Sequence, residues 1–181
     1  MSEPMVQGPL LTPVAAMPWP LRLLGRTVDW AVIATGGFMA LLVFFNVALH
    51  TVDKDLAWVT ELGELLMVWV TFLGGACAAQ RGAHMTITEF IDKLGDSGRR
   101  WADAGVQLLS LAVLGITALY GWRLVDASWG NELTVLGWPM SIQYMGMAVG
   151  CPLMAVFVAF DLFQILRGVP RSLRYSATEE I

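Results

Sequence analysis

The sequence predicts an all-α integral membrane protein with four transmembrane helices. Apolar residues make up 56% of the 181 residues and charged residues 14%, whereas soluble domains contain about 25% charged residues. Four segments carry few or no charges over the roughly 20 helical residues that a bilayer core of about 30 Å requires. None of these segments alternates apolar and polar residues as membrane-spanning strands do.

The first segment extends without charge from Trp30 to Leu49, and the second is interrupted by Glu61 and Glu64. The fourth begins after Pro139. We therefore predict spans at about residues 28–51, 58–80, 102–125 and 141–166. Together they form a membrane domain, residues 21–168, between a flexible N-terminal segment, 1–20, and a cytoplasmic tail, 169–181.

The positive charges predict how the spans are oriented. Nine of the eleven lysines and arginines lie before span one, between spans two and three, or after span four. These nine are Arg22, Arg26, Arg81, Lys93, Arg99, Arg100, Arg167, Arg171 and Arg174. Lys54 and Arg123 lie at the opposite ends of the spans. Because lysine and arginine accumulate on the cytoplasmic side, we predict that both termini and the middle loop are cytoplasmic.

Two further stretches have the pattern of amphipathic helices. In HMTITEFIDKL, residues 84–94, Ile87, Phe90, Ile91 and Leu94 follow the spacing of one helical face. The stretch WPLRLLGRTVDW, residues 19–30, precedes span one. We expect both to lie in the cytoplasmic membrane interface, either as surface helices that contact a partner or as plain connectors.

Several function classes are disfavoured by the composition. Cys77 and Cys151 are isolated in apolar runs, which is typical of small buried side chains and not of a redox pair. His50 and His84 lie near the ends of apolar runs, whereas a membrane haem needs imidazoles in the helix core. The net charge of −4 does not suggest nucleic acid. We expect no enzymatic activity and no cofactor or metal ion on this chain.

Glu61 and Glu64 are the charges that most need an explanation, because they lie inside a membrane-length helix. Three interpretations remain open. Both side chains reach water at the outer interface; or they pair with a cation, either Arg123 or a residue of a partner protein; or Glu64 couples a proton or cation to transport. Residues three apart share a helix face, so the two carboxylates are expected on one stripe.

Small residues predict close helix packing in spans two and four. Gly74 and Gly75 each precede an alanine by four residues, and Gly146 precedes Gly150 by the same interval. Such spacing lets helix backbones approach closely in a membrane. Whether these contacts are internal or with another subunit is left open by the sequence.

The stretch WVTELGELLMVWVTFLGGACAAQRGAHMTITEFIDKL resembles the central signature of the small permease subunit (DctQ-type) of TRAP transporters, the tripartite ATP-independent periplasmic transporters. The matching residues are Trp58, Glu61, Trp69, Phe72, Leu73, Gly74, Arg81 and His84. A second stretch, LTVLGWPMSIQYMGMAVGCPLM, resembles the approach to the family's last helix through Leu136, Pro139, Tyr144 and Gly150. The chain departs from the pattern at Thr60, where the family often has the first of two adjacent glutamates, and at Pro152, which falls later than the usual proline.

The resemblance implies a bacterial inner-membrane subunit that braces a large permease subunit. A periplasmic binding protein would deliver an organic acid, such as a C4-dicarboxylate, for sodium-driven uptake. Substrate and sodium would bind to the large subunit, so that this chain contacts the two partner proteins and lipid. Two rival functions remain: a homodimeric proton-coupled transporter that uses Glu64, and a membrane scaffold unrelated to transport.

Under the preferred interpretation, twelve residues are candidates for a structural or partner-interface role. They are Glu61, Glu64, Trp69, Gly74, Gly75, Arg81, His84, Phe90, Ile91, Arg123, Gly146 and Gly150.

Overall fold

A computed structural model describes residues 17–52, 54, 56–82 and 96–169. This part of the chain forms four long helices: α1 Trp19–His50, α2 Ala57–Gln80, α3 Asp96–Ala127 and α4 Ser141–Leu166. All four are long and apolar enough to cross a membrane. The predicted all-α membrane fold is therefore confirmed.

The two stretches predicted as surface helices have different outcomes. Residues 19–30 form the first turns of α1 and are continuous with the span. That they lie in the membrane interface stays a prediction. Pro20 lies in the first turn, where its missing N–H removes no helical hydrogen bond. At 1.5 Å per residue the 32 residues of α1 span about 48 Å, more than a bilayer core of about 30 Å. Residues 84–94 lie outside the described residues.

Helix α4 is the centre of the packing. Its contacts with α3 are the most extensive in the structure, followed by those with α2, whereas α1 packs mainly against α2. The four helices meet in one apolar cluster near the start of α1 and the end of α2. Its members are Leu24, Ala79, Leu111, Leu114, Met154, Phe157 and Val158. The cluster binds α1, α2 and α3 to the same half of α4.

The contact between α2 and α4 depends on two glycines. A Cβ atom added to Gly150 would lie 2.5 Å from Cβ of Phe72 and 3.1 Å from its carbonyl carbon. One added to Gly146 would lie 3.3 Å from Cα of Trp69. Gly75 faces Met154 across the same interface, whereas the position of a Cβ on Gly74 is open. The GxxxG pair of α4 is thus an internal packing surface.

Polar contacts join the helix ends at one end of the molecule. Arg100 of α3 donates from Nε to the carbonyl oxygen of Ile165 at 3.0 Å and from Nη2 to that of Leu166, at the end of α4. Arg81 pairs with Asp29 of α1 at 3.3 Å.

We call this end of the molecule the arginine end; it carries Arg22, Arg26, Arg81, Arg99, Arg100 and Arg167. The opposite end, which carries Lys54, Glu61 and residues 128–140, is the loop end. That the arginine end is cytoplasmic stays a prediction.

Replacing Gly150 with leucine should weaken the fold of the isolated chain. The added side chain meets the Phe72 backbone, which cannot move without displacing α2, and overpacking of this kind costs about 1–3 kcal/mol or more. Reversible unfolding in mixed micelles measures the loss. Gly115→Leu on α3 is the matched control, because a Cβ there has open space around it. Equal stability of the two variants would contradict the assigned α2–α4 contact.

Candidate functional site

Glu61 lies near the start of α2, half-buried beneath the loop that joins α3 to α4. Its carboxylate accepts hydrogen bonds from the backbone N–H of Val135 at 3.0 and 2.9 Å and from that of Leu136 at 2.9 Å. Hydrogen bonds to an ionised carboxylate are stronger than those between neutral groups. The charge of Glu61 is therefore satisfied by backbone donors within the chain.

The α3–α4 loop presents these donors because it is tightly folded. The N–H of Leu133 donates to the carbonyl of Trp138 at 2.8 Å, and the N–H of Gly137 donates to that of Leu133 at 2.9 Å. Gly137 has a φ of 64°, a left-handed conformation that glycine adopts without strain. Inside this turn the successive N–H groups of Val135 and Leu136 point at one acceptor, as in the anion-binding turns known as nests.

Both ends of this loop are also held by side chains. The hydroxyl of Ser141, fully buried at the start of α4, donates to the carbonyl oxygen of Val125 near the end of α3 at 2.8 Å. The indole N–H of Trp69 donates to the carbonyl oxygen of Ile142 at 3.0 Å. Trp69 thereby ties the middle of α2 to the first turn of α4, next to the close contact at Gly146. Glu61, Trp69 and Ser141 together join the α3–α4 loop and the first turn of α4 to α2 and α3.

The pairing of the glutamates with Arg123, one of the interpretations left open by the sequence, is not observed among the described residues. The Arg123 guanidinium instead lies 5.7 Å from the centre of the Tyr120 ring, one turn back on α3. Sequence reasoning missed the true partner of Glu61 because backbone N–H groups carry no residue signature. The available signal was the turn-forming pair Gly137 and Pro139 in the same loop.

Glu64 has a different environment from Glu61 although it lies less than one turn away. At 3.6 residues per turn, two side chains three residues apart point in directions that differ by roughly 60°. This rotation turns Glu64 away from the loop, and its side chain is exposed. Within the described residues it makes no hydrogen bond or ion pair. Glu61 thus has a structural role within the chain, whereas Glu64 is available to something outside it.

Polar contacts at the arginine end include residues that the sequence analysis did not select. Asp29 accepts a hydrogen bond from the Cys77 thiol at 2.8 Å as well as the contact with Arg81. Cys77 is therefore a hydrogen-bond donor between helices, not a purely apolar side chain. Gln107 of α3 donates to Asp161 of α4 at 2.5 Å. A lone aspartate directly before the uncharged run that begins at Trp30 was the signal for the first of these contacts.

A cavity of about 320 Å³ separates α1 from α2 at the loop end. Its lining is apolar except for Asn46, whose side-chain oxygen accepts the N–H of Leu56 at 3.3 Å. Over the described residues, no cluster of three histidine, cysteine or acidic side chains could hold a metal ion. Three of the predicted site residues, His84, Phe90 and Ile91, lie outside the described part of the chain.

The chain matches a known protein family. Residues 39–168 match the family described as tripartite ATP-independent periplasmic transporters, DctQ component. The chain belongs to this family. The matched region contains all of α2 and α4, the α3–α4 loop and Glu61. The resemblance to small TRAP permease subunits that the sequence predicted is confirmed.

Individual relatives agree with the family assignment. The chain is 29% identical over 118 residues to the sialic acid TRAP transporter small permease protein SiaQ of Vibrio cholerae, covering 64% of this chain and 68% of that protein. It is 21% identical over 152 residues to a putative TRAP transporter small permease protein of Haemophilus influenzae, covering 81% and 94%. It is also 28% identical over 155 residues to the uncharacterized protein y4mM of Sinorhizobium fredii. That match covers 81% of this chain but 28% of y4mM, so the chain spans little more than a quarter of that relative.

Replacing Glu61 with alanine should release the α3–α4 loop. Backbone N–H groups of Val135 and Leu136 lose an ionised acceptor, and hydrogen bonds to charged groups contribute about 1.5–3 kcal/mol. We expect hydrogen exchange in a peptide covering residues 131–139 to accelerate about tenfold or more, since about 1.4 kcal/mol corresponds to a factor of ten.

Glu64→Ala is the matched control for this measurement, because it removes a carboxylate that does not contact the loop. Exchange in residues 131–139 should stay at the wild-type rate in that variant. Equal acceleration in both variants, or in neither, would contradict the role assigned to Glu61.

Proposed function

We propose that this chain braces the large permease subunit of a TRAP transporter in the bacterial inner membrane, with both termini in the cytoplasm. The assembly would import an organic acid, a carboxylate such as a C4-dicarboxylate, with the sodium gradient and a periplasmic binding protein. The observation that carries the proposal is the family match over residues 39–168, which contains the Glu61 contact and the α2–α4 packing.

The use of polar side chains in the helices supports a bracing role. Glu61, Trp69 and Arg100 each bind a backbone group of a neighbouring element. Contacts of this kind hold helices and loops at fixed positions relative to one another, because rotating one element would break the hydrogen bond. A subunit that braces a partner requires helices held in this way.

The long outer helices support assembly within a membrane. Over an apolar stretch of 18 residues in α1, none of the residues is buried by the other helices. Over the corresponding stretch of α3, 11% of the residues are buried. These faces are therefore left to lipid or to another membrane protein.

The carboxylate substrate class is supported by the name of one relative. The relative from Vibrio cholerae is named for sialic acid, which is itself a carboxylic acid. In our proposal the substrate and the sodium ions bind to the large subunit and the binding protein, so this chain contributes neither site. Identity of the carboxylate is set by those partners.

Co-purification followed by reconstitution tests the proposal. The tagged chain, extracted in mild detergent from its native membrane, should bring a TRAP large permease at about equal stoichiometry, identified by mass spectrometry. Liposomes containing both subunits should take up a carboxylate when the binding protein and an inward sodium gradient are supplied. Omitting this chain should abolish uptake.

The rival functions give different results in the same experiment. Flux through liposomes that contain this chain alone, lost in Glu64→Gln, would contradict the proposal and indicate a self-sufficient transporter. A stable partner that is not a carrier would contradict it in favour of a scaffold outside transport.

A further inference from the structure

One face of α2 is left uncovered by the other helices. Six positions along it fall within an arc of roughly 80° at 3.6 residues per turn. They are Thr60, Glu64, Met67, Thr71, Gly74 and Ala78, and we call this set the open stripe of α2. The first four are exposed, and a Cβ atom added to Gly74 would meet nothing within 4 Å.

The remaining surface of α2 is occupied inside the chain. Trp69, Phe72 and Gly75 face α4. Cys77 and Gln80 face α1, where Cys77 donates to Asp29 and the Gln80 side chain fills the space beside Gly25. The open stripe lies between these two contact surfaces, so its exposure follows from the packing of α1 and α4 on either side.

The chemistry of the open stripe does not suit lipid. Glu64 lies six residues beyond Trp58, about 9 Å along the helix axis. Tryptophan prefers the headgroup level of a membrane, and with Trp58 at that level Glu64 lies deeper by this distance, towards the hydrocarbon region. Charged residues at such depths almost always face protein or a water-filled space and pair with another group. Within the described residues Glu64 has no such partner, unlike Glu61.

The shape of the stripe is that of a helix-docking surface. Gly74 and Ala78 stand four residues apart, a spacing that lets a second membrane helix approach the backbone closely. The same spacing in Gly146 and Gly150 of α4 is filled by α2 within this structure. At Gly74 the corresponding space is unfilled.

The exposed faces of the outer helices are of a different kind. Exposed residues of α1 include Phe44 and Phe45, and those of α3 include Leu108, Leu109 and Leu119. Large apolar side chains of this type pack well against acyl chains. Lipid therefore suits those faces, whereas the open stripe combines a carboxylate, two hydroxyl-bearing threonines and two small residues.

We infer that the open stripe of α2 is the surface on which a transmembrane helix of the large permease docks, with a basic side chain of that helix opposite Glu64. Pairing with the Glu64 carboxylate fixes the position of the partner helix along α2. Gly74, which has no side chain, lets the backbone of the partner helix approach α2 closely. The identity of the partner rests on the proposed function, whereas the location of the surface rests on the exposure and chemistry of α2.

The test compares two variants of the stripe with two matched controls. Glu64→Gln removes the charge, and Gly74→Leu fills the close-approach position. Glu132→Gln removes an exposed carboxylate at the same end of the molecule, and Gly115→Leu fills an open glycine position on α3. Each variant is co-expressed with the large permease, and the complex is quantified after purification in mild detergent.

Glu64→Gln should lower the recovery of the large permease by about threefold to tenfold, the range expected from one interhelical polar contact in a membrane. Gly74→Leu should lower it at least as far, because the added side chain keeps the partner helix at a distance. Both controls should recover it at the wild-type level. The isolated variants should unfold at the wild-type denaturant concentration, because neither Glu64 nor Gly74 contacts another helix of the chain. Unchanged recovery in the stripe variants would overturn the inference while leaving the proposed function in place.

A second measurement locates the partner without altering the packing. A photoreactive residue at Met67 should cross-link to the large permease, whereas one at Val113, exposed on α3, should cross-link to lipid. The reverse pattern would overturn the inference. If the wild-type chain recovers no large permease at all, the proposed function fails, and with it the partner named here.

Discussion

The close contact between α2 and α4 is the constraint on which the rest of the structure depends. Gly146 and Gly150 bring the α4 backbone against Trp69 and Phe72, and at Gly150 an added Cβ would lie only 2.5 Å from that of Phe72. Helix α3 then packs on the remaining side of α4, and α1 packs on α2. This contact brings the indole N–H of Trp69 within hydrogen-bond distance of the carbonyl oxygen of Ile142. It also places Glu61 of α2 beside the α3–α4 loop.

Several of the polar contacts that join different elements bind backbone groups. A side chain that binds a loop N–H or a helix-terminal carbonyl satisfies a backbone group that helical hydrogen bonds leave unpaired. The loop N–H groups bind Glu61, and the final carbonyls of α4 bind Arg100. In the second case a cation also lies at the negative end of a helix dipole, which is favourable. The two ends of the molecule are thus held by charges of opposite sign acting on backbone.

The two glutamates of α2 lie in different surroundings although they are three residues apart. Glu61 is directed at the α3–α4 loop and its charge is satisfied there. Glu64 is rotated towards the uncovered face, together with Gly74. A subunit that braces a partner needs both kinds of surface: internal contacts that hold its own helices, and a polar, closely approachable face for the neighbouring protein. The bracing role that we propose rests on the family match and uses this division of the helix surface.

The sequence by itself determined the number, the class and the approximate bounds of the helices, because hydropathy and length are local properties that a bilayer selects directly. It also indicated the family through the order of short motifs. It did not show that α1 begins as early as Trp19, since the arginines in its first turns resemble a separate amphipathic segment.

Only the tertiary structure decided which side of each helix packs against the other helices. Gly74 and Gly75 have the same spacing to an alanine, yet Gly75 faces Met154 and Gly74 faces open space. Which of two adjacent residues is covered depends on the rotation of α2 against α4, and spacing in one helix does not specify that angle. The partner of Glu61 is likewise set by a loop more than 70 residues away, through backbone N–H groups that every residue except proline carries.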